Sequence, residues 1–162
     1  MRNYSEAEIR DVALIGHGGA GKTSLAEAAF FDTKAVTRLG RVDDETSNLD
    51  VEPEEKKRKG TINPHCATVE WAKTKVNFLD TSGQGDFMVD TMAAIGAADC
   101  ALCVVSASDG VQVYTEKTWE EADRLGATLQ VLSWHDQVVF EVAALSEKID
   151  AACGLLADVL LR

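Results

Sequence analysis

Nine consecutive residues near the amino terminus, "GHGGAGKTS" at positions 16–24, constrain this chain more than any other stretch. They match GxxxxGK[ST] at Gly16, Gly21, Lys22 and Thr23. Such a match carries weight only between a strand and a helix, and both flanks are there. "DVALIG" (11–16) is an apolar run ending in Gly, the pattern of a buried strand. "KTSLAEAAFF" (22–31) follows with helix formers and helical spacing at Leu25, Ala28 and Ala29. Glycines let the backbone N–H groups turn inward around an anion, and the following helix points its positive end at the same place. His17, Gly18, Gly19, Ala20, Gly21, Lys22, Thr23 and Ser24 would thus wrap the phosphates of a nucleotide. Lys22 would lie beside the β and γ phosphates, and the Thr23 hydroxyl would bind Mg2+.

The rest of the chain reads as strands alternating with helices. "ATVEWA" (67–72) alternates, with Ala67, Val69 and Trp71 on one face, as in a half-exposed strand. "VNFLD" (76–80) is a strand ending in a carboxylate, "FMVDTMAAIGAA" is helical, and "CALCVVSA" is a buried strand. "TEKTWEEADRLG" (115–126) is a helix with Trp119, Ala122 and Leu125 inward and Gly126 as its stop. Leu145, Ile149, Ala152, Leu156 and Val159 recur at helical spacing and predict a closing amphipathic helix. The expected fold is α/β, a mostly parallel sheet flanked by helices in a single domain of 162 residues. The polar stretch 32–64 is too long for a plain connection, so it is functional or disordered; its "EEKKRK" reads as a solvated charge run.

Of the four cysteines, Cys66, Cys100, Cys103 and Cys153, the C-x-x-C pair 100/103 falls in a strand, where residues three apart face opposite ways. Buried thiols in a reducing, cytoplasmic compartment are expected, not a metal or redox pair. A net charge of −11 gives no attraction for nucleic acid by itself, so work on an RNA-rich machine would need local basic patches or further domains. No apolar run approaches the ~20 residues of a membrane span, and "MRNYSEAEIR" lacks the core of a signal peptide.

A triphosphatase also needs a carboxylate near the metal and a sensor for the γ phosphate. "DTSGQGDF" supplies both at a strand end: Asp80 on Mg2+, the Gly83 N–H on the γ phosphate, Gln84 where an attacking water is oriented. Together "GHGGAGKTS", "RLGRVDDETS", "KGTIN", "DTSGQGDF" and "SASDGVQVYTEKTWEEADRLG" resemble the GTPase domain of elongation factor G, and more closely its elongation-factor-G-like paralogues, over residues 8–126. The resemblance implies that GTP and GDP are the ligands, that 32–64 is a first switch region and 80–90 a second, and that Thr61 closes on Mg2+. It implies the ribosome as partner. Departures are Gln84 in place of the family's His, Ser82 in place of Pro, Gly19 in place of Asp, and "RKGT" around Thr61 in place of "RGIT".

Beyond Gly126 the pattern breaks. The guanine-reading NKxD reads "SWHD", which leaves Asp136 alone at the right spacing, with Ser133 and Trp134 replacing Asn and Lys. Resemblance places a second base loop at Ala144. "LQVL" and "VVFEVA" are about five residues apart, too close for a parallel crossover. They form an antiparallel hairpin, or one of them is not a strand. Two readings stand: a slow, partner-stimulated GTPase domain, and a nucleotide-binding or structural remnant without guanine selectivity. A shortened carboxyl end that swaps between two copies is a weaker third.

Overall fold

The computed structural model describes residues 3–125, 127–133 and 138–145. Gly126, Trp134, His135, Asp136, Cys153 and the closing-helix positions Ile149, Ala152, Leu156 and Val159 lie outside the described residues; Leu145, read as the first position of that helix, is instead the last residue of a strand (Val138–Leu145).

The sheet is organised around β1 (Ile9–Ile15), whose last four residues are buried on both faces. That double burial is why the run carries no polar alternation. β3 (Thr74–Asp80) and β4 (Cys100–Ser106) flank it, both parallel to it. β2 (His65–Trp71) closes one edge as an antiparallel hairpin with β3. β5 (Ala127–Ser133) and β6 (Val138–Leu145) form the antiparallel hairpin named above as one alternative, and β6 pairs antiparallel with β4. The strand order is β2-β3-β1-β4-β6-β5. β1, β3, β4 and β5 thus run one way, β2 and β6 the other.

Helices cover both faces. α1 (Lys22–Asp32) lays Ala26 and Ala29 on Val12, Leu14, Val76 and Phe78. α3 (Met88–Ala97) and α4 (Val113–Arg124) bring Ile95, Trp119 and Ala122 against Ala13, Ile15 and Cys103 on the other face. A short helix, α2 (Pro53–Arg58), stands in the polar stretch. Cys100 belongs to the first core and Cys103 to the second, so the C-x-x-C side chains are separated by the sheet. Two details differ from the sequence reading. Ala28 is only half-buried and faces a cleft, because Ala26 and Ala29 set the inward face of α1. Leu125 follows the last turn of α4 and is 37% exposed.

The β2–β3 turn carries Ala72 at φ 45° and Lys73 at φ 71°. Two left-handed residues in succession make a hairpin turn that prefers Asn-Gly. Lys73→Gly is expected to stabilise the domain by about 1 kcal/mol. The check is a higher urea midpoint at unchanged m value.

Candidate nucleotide site

The phosphate loop leaves the buried end of β1 and enters α1 through Gly21, whose φ of 100° turns the chain into the helix. Lys22, only 5% exposed, folds back over the loop and donates from Nζ to the carbonyls of Gly16 (2.9 Å) and His17 (3.0 Å). The His17 ring points behind the loop. Its Nδ1 lies 3.3 Å from Thr115 Oγ1 and its Nε2 3.7 Å from Asp109 Oδ2, so it props the loop against the start of α4. Ala20 is buried, and its N–H donates to the His17 carbonyl. Gly18, Gly19, Gly21, Lys22, Thr23 and Ser24 line a cleft of about 460 Å3.

Three distant segments meet at the inner end of this cleft. Thr23 in the first turn of α1 donates to Asp80 Oδ2 at 2.8 Å. Thr61, after α2, donates to the same oxygen at 3.2 Å, and the two hydroxyl oxygens are 3.0 Å apart. Asp80, at the end of β3, is fully buried, and its Oδ1 has no hydrogen-bond partner among the described residues. Two hydroxyls and a carboxylate with a vacant oxygen are hard donors and fit Mg2+. Burial pushes the Asp80 carboxyl up to about 6, against the hydrogen bond from Thr23 and the charge of Lys22. Burial likewise lowers Lys22 to about 8, with Asp80 and then Cys103 opposing.

Folded Asp80 holds its proton more tightly than an unfolded Asp, so its ionisation destabilises the ligand-free fold above pH about 6 and ceases to do so below about 4. Lys22 is penalised below about 8 and relieved as the pH rises towards 10.5. Asp80→Asn is therefore expected to stabilise the ligand-free domain by about 2 kcal/mol at pH 7.5, with the gain shrinking as the pH falls through 6. Urea unfolding of parent and variant at pH 7.5 and 4.5 measures this.

The segment after β3 packs directly on the phosphate loop at Gly83. A Cβ on Gly83 would lie 2.3 Å from the Gly18 nitrogen, so only glycine allows this approach. Gln84 is exposed at the cleft, its side chain beside Gly60 and Gly18. Ser82 is buried, and its carbonyl accepts from Tyr114 Oη (2.8 Å) and Thr91 Oγ1 (3.2 Å), which ties the segment to α3 and α4. Thr81 donates to the Leu14 carbonyl at 2.6 Å.

Sequence reasoning missed two fully buried carboxylates, Glu27 and Glu55, and the buried Asp50. Glu55, read as part of a solvated charge run, accepts from the N–H groups of Glu52 (3.2 Å), Ile62 (2.9 Å) and Asn63 (3.1 Å) and from His65 Nε2 (2.9 Å). Burial alone would raise its carboxyl, but the Ile62 N–H, His65 and the other donors outweigh it and hold it below the usual Glu range. The readable signal was "EPEE": Glu52 and Glu55 form a capping box around Pro53 at the first helical position. For Asp50, burial first and then Glu55 raise the carboxyl.

Not every expected residue arrives at the cleft. Ala144 sits in β6 opposite Cys100, where β4 begins, whereas the phosphate loop lies at the far end of the parallel strands. An antiparallel β6 carries its carboxyl end away from the site. Asp136 lies outside the described residues.

A glycine loop between the central strand and its helix, with a lysine, two hydroxyls and a carboxylate converging beside it, defines a P-loop nucleotide-binding domain of the G-domain class. The chain belongs to the Elongation factor Tu GTP binding domain family, which it matches over residues 7–150. It is 36% identical over 118 residues to the "Elongation factor G-like protein" of Mycobacterium tuberculosis, covering 73% of this chain and 16% of that protein. It is 33% identical over 129 residues to the mitochondrial "Ribosome-releasing factor 2" of Yarrowia lipolytica, covering 77% and 16%. A crystal structure of a Thermus thermophilus protein superposes with a TM-score of 0.71 at 46% identity, covering 74% of this chain and 18% of that one. The chain thus spans about a sixth of the length of the relatives it matches. It is a GTP-binding domain of the elongation-factor-G-like type. Among the described residues no helix is long and apolar enough to cross a membrane.

Proposed function

We propose that this domain binds GTP and GDP with Mg2+ and hydrolyses GTP slowly until a partner stimulates it. The observation that carries this reading is the convergence of Lys22, Thr23, Thr61 and Asp80 at one cleft beside the phosphate loop. Lys22 exchanges the Gly16 and His17 carbonyls for phosphate oxygens. Thr23, Thr61 and Asp80 are the residues that would hold Mg2+, whose charge, when bound, offsets that of the phosphates. The Gly83 N–H meets the γ phosphate, and Gln84 orients the attacking water. The partner is the ribosome, by kinship with translation factors and in the cytoplasm. A surface of net charge −11 gives no affinity for RNA, so that contact runs through local basic patches or other domains.

Guanine is read by Asp136 in this proposal. The β5–β6 hairpin favours a second reading, because it takes Ala144 away from the cleft: a domain that holds phosphates without selecting the base. Titration with fluorescent GDP and ADP in Mg2+ separates the two. At least a tenfold preference for GDP, about 1.4 kcal/mol, is expected from the first reading; equal affinities establish the second, and binding of neither overturns both.

A further inference from the structure

The segment between α1 and α2 forms the outer wall of the cleft, through Leu39, Gly40, Arg41, Val42 and Asp43. Residues 41–46 form a compact loop: the Thr46 N–H donates to the Arg41 carbonyl at 3.0 Å, and the Arg41 N–H to Thr46 Oγ1 at 3.1 Å. Both stems of that loop stand on Glu27. On one side Gly40 passes so close that a Cβ there would lie 2.4 Å from Glu27 Oε2. On the other, Glu27 Oε1 accepts from Ser47 Oγ (2.9 Å) and from the N–H groups of Asn48 and Leu49 (3.2 Å), while Oε2 accepts from Asn48 Nδ2 (2.7 Å). Glu27 is fully buried, one turn along α1 from Lys22 and Thr23, the residues placed here at the phosphates and the metal. Its donors all come from a segment that is otherwise mostly exposed; Leu49 alone reaches the core.

We propose that Glu27 is the positioning residue that fastens residues 39–49 as the outer wall of the nucleotide cleft, and that it thereby sets the rate at which bound nucleotide leaves. The second half rests on the functional reading above; the first does not. Four donors converging on one buried carboxylate make the wall open and close as a unit, hinged on α1, because no donor is released without stranding the charge. Bound nucleotide then leaves only when the Glu27 cluster comes apart.

The test is Glu27→Gln alone and with Asn48→Asp. Gln at 27 keeps one carbonyl oxygen but loses the negative charge that strengthens all four bonds, and it turns an amide NH2 towards Asn48, whose own amide must turn over to accept from it. Asp at 48 accepts from that NH2 with either oxygen and returns a carboxylate to the cluster. Two rates are read: tryptic cleavage after Arg41 in the ligand-free chain, and release of fluorescent GDP. Because native-state cleavage tracks local opening, Glu27→Gln is expected to speed both by about tenfold, with the double variant recovering most of the loss. Rates within twofold of the parent in Glu27→Gln overturn the proposal. So does acceleration that Asn48→Asp leaves uncorrected while the urea midpoint falls in step, for that is general destabilisation. A parent chain that binds no GDP removes the functional reading and the release claim together, and the cleavage rates still decide whether Glu27 holds the wall.

Discussion

Lys22→Ala is expected to lower affinity for GDP and GTP by a hundredfold or more while the domain stays folded. Two effects oppose one another in the ligand-free state. The variant strands the Gly16 and His17 carbonyls that Lys22 Nζ satisfies, which costs about 1–3 kcal/mol. It also removes a buried ammonium whose pKa has dropped to about 8, which returns a similar amount at neutral pH. Stability of the empty domain therefore changes by no more than about 2 kcal/mol. With nucleotide the balance is one-sided. A charge-assisted contact to phosphate in a buried site contributes about 1.5–3 kcal/mol, and Lys22 makes more than one such contact in the proposed complex. The loss comes to about 3–5 kcal/mol. Fluorescent GDP titration with urea unfolding of the same sample checks both halves. Unchanged affinity would mean that the loop does not hold phosphates.

Gly16→Ala is expected to cost about 3–5 kcal/mol of stability, a large share of what a domain this size has. Gly16 adopts φ 131°, a conformation that an L side chain enters only under strain. Its pro-Cβ direction is also filled: an added Cβ would lie 2.2 Å from the Val104 carbonyl oxygen in the neighbouring strand. Neither partner yields, since Val104 is backbone in the middle of β4 and Gly16 joins β1 to the phosphate loop. Gly96→Ala is the matching control. It sits in α3 with nothing within 4 Å of the added carbon, and exchange there is expected to raise stability by about 0.5–1 kcal/mol. Urea unfolding of the two variants separates a general tolerance of glycine loss from the constraint at position 16.

The parts of this domain that local chemistry specifies were open to reading. The run from Asp11 to Phe31 was one, because strand, turn and helix there are consecutive and each follows from its own residues. The alternation at Ala67, Val69 and Trp71 was another, and the C-x-x-C at 100 and 103 was correctly divided between two faces. "LQVL" and "VVFEVA" were correctly limited to a hairpin or a single strand by the length of chain between them. Leu125 and Ala28 were misplaced because spacing tells which residues share a face, not where the helix ends or what shares the surface with a cleft.

What the sequence determined by itself is the phosphate loop, from Gly16 to Ser24, and the alternating strands and helices around it, since turn geometry and side-chain period are properties of neighbouring residues. Only the tertiary structure decided the fate of the acidic side chains. Glu27 and Glu55 carry the same residue type as the exposed Glu54, yet each is buried with four hydrogen-bond donors. Asp80 meets Thr23 and Thr61 only because the end of β3, the start of α1 and the segment after α2 come to one place. A carboxylate is buried where distant N–H and O–H groups arrive to offset the cost of removing it from water. That arrival is set by how the sheet and helices pack, and no local pattern records it.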